Sequence, residues 1–85
     1  MKYKVIIENK VAKVIENLPK SISKRIIDKI ELTRENPFLY FVKLINNPCY
    51  KLRIGKYRII ADISKMNITI NIIKIDKRGR IYKQF

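Results

Sequence analysis

The sequence predicts an α+β fold: an N-terminal strand, an αα-hairpin and an antiparallel β-meander, with the helices packed on one face of the sheet. Three observations carry that prediction. Residues 2–8, KYKVIIE, alternate with a period of two, as a half-buried strand does. Apolar residues then recur at helical spacing in two stretches separated by Pro19. Finally, Tyr50 to Ile63 reads YKLRIGKYRIIADI, two alternating runs around Gly55-Lys56.

In the first strand Tyr3, Val5 and Ile7 share a face. Glu8-Asn9 offers a helix start, and Val11, Val14, Ile15 and Leu18 form the apolar stripe of the first helix. Pro19 ends that helix or opens the next, because it fixes φ and lacks an N–H. Ser21 or a neighbour is the expected cap of a longer second helix with the stripe Ile22, Ile26, Ile27 and Ile30, closed by Asn36-Pro37. Asp28, Glu31 and Glu35 share a side of it and read as a solvated face near Lys24 and Lys29. Residues 38–48 form a connection in which Phe41 to Leu44 adds a short edge segment and Asn46-Asn47-Pro48 makes a turn. Its aromatic cluster either packs across the helix–sheet seam or offers a docking patch.

Glycine at the first central position suits a two-residue type II′ hairpin loop. Such a loop pairs Ile54 with Tyr57 and Arg53 with Arg58. Tyr50, Leu52, Ile54, Tyr57, Ile59, Ala61 and Ile63 then share one face, and Lys51, Arg53 and Arg58 the other. Opposed like charges destabilise a sheet by some tenths of a kcal/mol, so their presence points to an anion. After a polar turn at Ser64 to Asn67, Ile68 to Ile75 is the next strand, expected to set Ile63 against Ile68, Ala61 against Ile70 and Ile59 against Ile72. The alternation slips beyond Ile72, which indicates a bulge or a strand buried on both faces.

The 85 residues are expected to form one domain, 1–85. Twenty Lys and Arg against seven Asp and Glu leave a net charge of +13, which attracts a polyanion such as nucleic acid or an acidic protein. No apolar run approaches the ~20 residues that span a bilayer, and no secretory segment is evident, so the expected location is cytoplasmic with no membrane partner. With no histidine and only Cys49, an intrachain disulfide and a Cys/His zinc site are excluded, and Cys49 reads as a small packed residue. Only Asp62 and Asp76 follow residue 35, too few for a two-metal nuclease site. Neither metal nor cofactor is expected.

Lys51, Arg53 and Arg58 on one sheet face, joined by Arg78, Arg80 and Tyr82, make a basic concavity with an aromatic at its edge. Arginine forks grip phosphate and tyrosine stacks on a base, so these residue types signal RNA binding. Cleavage of RNA needs attack of a ribose 2′-OH on the adjacent phosphate, one proton taken, one returned, and a stabilised phosphorane. Lys51 among arginines suits the base, because crowded cations lower a lysine pKa, and guanidinium suits the phosphorane. Lys56, Lys77 and Lys83 are further cations expected to hold RNA, together with Arg80. At the C-terminus, Gly79 permits a bend that aims Arg78 and Arg80 at the sheet; a disordered basic tail is the alternative.

The order strand, two helices, YKLRIGKYRIIADI, a second hairpin turn and KRGRIY resembles the RelE/ParE toxin superfamily over essentially the whole chain. The resemblance implies a toxin–antitoxin module, with a RelB-like antitoxin bound as a heterodimer or heterotetramer. Its RelE branch implies a metal-independent endoribonuclease, an mRNA interferase that cuts messenger RNA in the ribosomal decoding site and inhibits translation. By that resemblance Lys51 and Arg53 act on the 2′-OH and the phosphate, Arg58 stabilises the transition state, Arg78 serves as acid, and Tyr82 orients the substrate. Arginine is a poor proton acceptor, which makes Lys51 rather than Arg53 the base. Arg80 has no firm counterpart. The same fold in ParE-type members implies a non-catalytic poison of DNA gyrase, and an RNA-binding protein without activity is the other alternative.

Overall fold

The computed structural model describes residues 2–77. The elements run β1 (Lys4–Ile7), α1 (Asn9–Glu16), α2 (Lys20–Thr33), a 3-10 turn (Pro37–Leu39), β2 (Val42–Lys43), β3 (Tyr50–Ile54), β4 (Tyr57–Ser64) and β5 (Thr69–Lys77). They form one sheet in the order β1-β5-β4-β3-β2, with β1 parallel to β5 and the other neighbours antiparallel. This is the α+β architecture expected: a strand, a helical hairpin and a meander.

The helices form where apolar spacing allows one face to be buried. Val11 and Ile15 of α1 and Ile26 and Ile30 of α2 are buried against the sheet, with Leu18 and Ile22 packed at their margins. Val14 and Ile27 of the expected stripes instead stand more than two-fifths exposed, because each lies at the edge of its helix's apolar arc. Ser21 does not cap α2. Pro19 takes that position in extended backbone (φ −52°, ψ 142°), and its carbonyl accepts the N–H groups of Ile22 and Ser23. A proline is well suited there, since a helix start needs no donor from it. Ser23 donates its hydroxyl to the Ile15 carbonyl, tying α2 to the end of α1 at 2.5 Å.

The second helix stops at Thr33, before Asn36-Pro37, and Pro37 opens the 3-10 turn. Buried Thr33 satisfies its hydroxyl on the Ile30 carbonyl at 2.7 Å. Arg34 then clamps the N-terminal strand: its Nε donates to the Tyr3 carbonyl and its own carbonyl accepts the Tyr3 N–H. On the solvated side of α2, Lys24 donates to Asp28 at 2.7 Å, and this bond with its attendant charge raises the Lys24 pKa. Glu31 pairs with Arg34.

Phe38 fills the seam between helices and sheet, edge-on to Tyr50 at 5.5 Å and to Tyr3 at 6.3 Å. Phe41 is buried, whereas Leu39, Val42 and Ile45 are exposed. The connection thus divides into packed aromatics and exposed aliphatics.

The β3–β4 hairpin has the expected register, Ile54 opposite Tyr57 and Arg53 opposite Arg58. Gly55 has φ +57°, while Lys56 is not among the positive-φ residues, so the loop is type II′ and not I′. The β4–β5 register is two residues away from the expected one next to the turn, where Ile63 faces Ile70 and Ala61 faces Ile72, and three residues away further on, where Ile59 faces Ile75. Ile68 belongs to the turn rather than the strand, with φ +55°, and its carbonyl accepts the Lys4 N–H. A shift of two preserves faces, so Ile70 and Ile72 still point to the core.

The bulge inferred from the slipped alternation is present. Ile60 faces Lys74 and Ala61 faces Ile72, leaving Ile73 as the extra residue. One inserted residue inverts the phase of everything after it. Ile75 therefore returns to the core, while Lys74 and Asp76 turn to the face away from the helices. That inversion builds the site.

Candidate nucleic-acid interface

The face of the sheet opposite the helices receives Lys51 and Arg53 from β3 and Arg58 from β4, as alternation requires. The two-residue loop makes Ile54 and Tyr57 the hydrogen-bonded closing pair. Arg53 and Arg58 are then a non-hydrogen-bonded pair, the kind whose side chains lie closest, about 4.5–5.5 Å between Cβ atoms. Lys51 follows one step of the alternation further, opposite Ile60.

On its other side Arg58 faces Asp76. Arg58 Nη2 donates to Asp76 Oδ2 at 3.1 Å, with both side chains about one-third exposed or less. Lys74 Nζ approaches the same oxygen at 3.8 Å. Asp76 thus touches two of the cations on this face, Arg58 and Lys74, while Lys51 and Arg53 stand on β3 and Asp62 lies further along β4 on the same face. Asp76 fixes the direction of the Arg58 guanidinium without neutralising the face. Among the described residues, Arg58 Nε is buried and has no hydrogen-bond acceptor.

Lys74 and Asp76 are the functional candidates that pattern reading did not single out. Their signal was present in the slip at Ile73: carried through, the phase change places Asp76 beside Arg58. Conversely, Lys77 pairs with Tyr57 and so lies on the helix side, where Lys56 also projects into a cleft beside α2. Neither joins the outer cluster. The expected roles of Arg78, Arg80, Tyr82 and Lys83 fall outside the described residues.

Among the described residues no group of three or more His, Cys, Asp or Glu is placed to hold a metal, and no helix is long and apolar enough to cross a membrane.

Known proteins resemble the chain throughout its length. Residues 5–82 match the family model described as ParE toxin of the type II toxin–antitoxin system parDE. A curated relative, the toxin candidate RelE1 of Methanocaldococcus jannaschii, is 32% identical and matches 98% of each chain. In the archaeal RelE–RelB complex of Pyrococcus horikoshii, the similar chain superposes with TM-score 0.81 at 29% identity, over 94% of this chain and 99% of that one. The RelBE2 toxin–antitoxin complex of Mycobacterium tuberculosis shares the fold, with TM-score 0.82 at 20% identity, over 92% of this chain and all of that one. The sheet with its basic outer face, the helical hairpin behind it and these matches lead to one assignment: the chain belongs to the RelE/ParE family of toxins from toxin–antitoxin systems.

Proposed function

We propose that this toxin is a ribosome-dependent endoribonuclease that cleaves messenger RNA without a metal, and that an antitoxin of the RelB kind holds it inactive. The observation that carries the reading is the Arg58 guanidinium, aimed by Asp76 and set directly against Arg53 on the same face. In an in-line reaction the ribose 2′-oxygen forms a bond to phosphorus as the bond to the 5′-oxygen breaks. The products are a cyclic phosphate and a 5′-hydroxyl. Lys51 takes the 2′-OH proton, Arg53 holds the phosphate, and Arg58 stabilises the charge that grows on the phosphorane oxygens, where fixed cations are most effective. Arg78 is proposed to return a proton to the leaving oxygen and Tyr82 to orient a base, with Arg80 and Lys83 holding the backbone. The presence of antitoxin chains in the complexes from Pyrococcus and Mycobacterium supports an antitoxin partner here.

Mapping RNA 5′-hydroxyl ends after brief expression tests this. New ends within translated messages, absent for Arg58→Ala, are expected. The matching family model is that of ParE, which favours a second reading, a poison of DNA gyrase. Gyrase-trapped DNA breaks without new RNA ends would establish that reading and overturn the first.

A further inference from the structure

A second cationic concavity, away from the outer face, lies on the helix side of the hairpin tip. A cleft of about 310 Å³ is walled there by Arg25 of α2, Lys56 of the turn and Lys77 of β5, with Tyr57 at its side and Ile26 and Ile54 in its floor. That volume is at the lower end of the range for small-ligand sites, about 300–1,000 Å³. Among the described residues no carboxylate lines it. Arg25 makes no ion pair among the described residues, and its guanidinium rests against the turn: a Cβ built on Gly55 would lie 3.2 Å from Arg25 Nη1. The nearest acid on the helix, Asp28, is engaged by Lys24. Three exposed cations of like sign are therefore gathered around an isoleucine floor, free to turn toward one anion.

We propose that the cleft formed by Arg25, Lys56, Lys77 and Tyr57 is a second anion site that takes a backbone phosphate of single-stranded RNA, on the opposite side of the sheet from Arg58. It rests on the RNA-binding part of the function proposed above and not on cleavage. Two features favour RNA over an acidic peptide. Three cations exceed what one carboxylate needs, whereas RNA brings a phosphate at every nucleotide and a base that Tyr57 can stack against. The cleft and the outer face are also separated only by the two-residue turn Gly55-Lys56, so one strand passing over the tip reaches both. The hairpin is then a post around which RNA bends, held by Arg53 and Arg58 on one side and by Arg25 and Lys77 on the other.

The test is binding of a short 2′-O-methyl oligonucleotide, which lacks the attacking hydroxyl, followed by fluorescence anisotropy at several salt concentrations. Arg25→Glu is expected to weaken binding about tenfold or more. It should also flatten the dependence of log K on log salt by about 0.7, the value for one phosphate contact on a single strand. Lys10→Glu, exposed on α1 and outside the cleft, controls for net charge and should stay within about twofold of the parent. Arg25→Lys should retain most of the affinity. Equal effects of Arg25→Glu and Lys10→Glu would overturn the proposal, as would a parent that binds no RNA. An Arg25→Glu that loses only an acidic partner protein would also overturn it. Arg53→Glu measured alongside separates the two sites: loss there with Arg25→Glu unaffected removes the cleft and leaves the outer face standing. Loss in Arg25→Glu, with no new 5′-hydroxyl RNA ends when the parent is expressed, retains the cleft and removes the nuclease.

Discussion

The two faces of the β3–β4–β5 sheet are built from the same strands and obey opposite rules. The helix-side face carries Leu52, Ile54, Ile59, Ala61, Ile63, Ile70 and Ile72, none more than 9% exposed. The outer face sets Arg53 directly against Arg58 and gathers Lys51 and Lys74 beside them around Asp76. Burying an isoleucine contributes about 1.5–3 kcal/mol, whereas a like-charge cross-strand pair costs some tenths. One face therefore holds the sheet together, and the other is sustained by it against its own repulsion. Substitutions on the two should have separable effects, stability behind and activity in front.

The largest expected effect is behind. Ile59→Ala, at a fully buried position, should destabilise the fold by about 2–5 kcal/mol in urea denaturation, through lost transfer free energy and the cavity left. A smaller loss would mean that the helix layer collapses into the gap and that the faces are less distinct than drawn. In front, Arg58→Ala should lower RNA cleavage by at least about a hundredfold, the scale of removing one preorganised donor to a developing oxyanion, with the folded circular dichroism spectrum retained. Asp76→Asn sharpens the contrast further. It keeps the shape but loosens the guanidinium, so turnover should fall about tenfold while Tm changes little, since partly exposed ion pairs stabilise weakly. An activity unchanged in Asp76→Asn would show that Arg58 needs no orienting partner.

Two smaller effects probe the sign. Replacing one of the opposed arginines, Arg53→Thr, should raise stability by about 0.2–0.5 kcal/mol in the same denaturation experiment while weakening RNA binding. Destabilisation would mean that the two arginines are not in repulsive contact. Lys24→Ala breaks an exposed pair on α2 and should leave Tm unchanged.

Much of this was legible in the amino-acid sequence wherever a local rule decides the outcome. Gly55 specifies its turn, the turn specifies the Arg53–Arg58 register, and alternation then assigns every side chain of the hairpin to a face. The hairpin of helices likewise follows from the spacing of Val11, Ile15, Ile26 and Ile30. Legibility failed where long-range pairing overrides local pattern. Ile68 looks like the first residue of a strand, but its carbonyl is recruited by Lys4 from the other end of the chain, and it sits in the turn. The two-residue error that followed hid the contact between Asp76 and Arg58, although the slip at Ile73 had been visible. Pattern alone also did not bring Arg25 to the hairpin tip, because a helix surface residue gives no sign of which strand end it will meet.

The parallel pairing of β1 with β5 has a consequence for when the protein can begin to work. Lys4 lies beside Thr69 and Ile7 beside Ile72, so β1 cannot dock until the much later β5 has been made. Such a contact closes a long loop, an ordering step that topology makes slow. A nascent chain that stops short of β5 therefore lacks the completed platform.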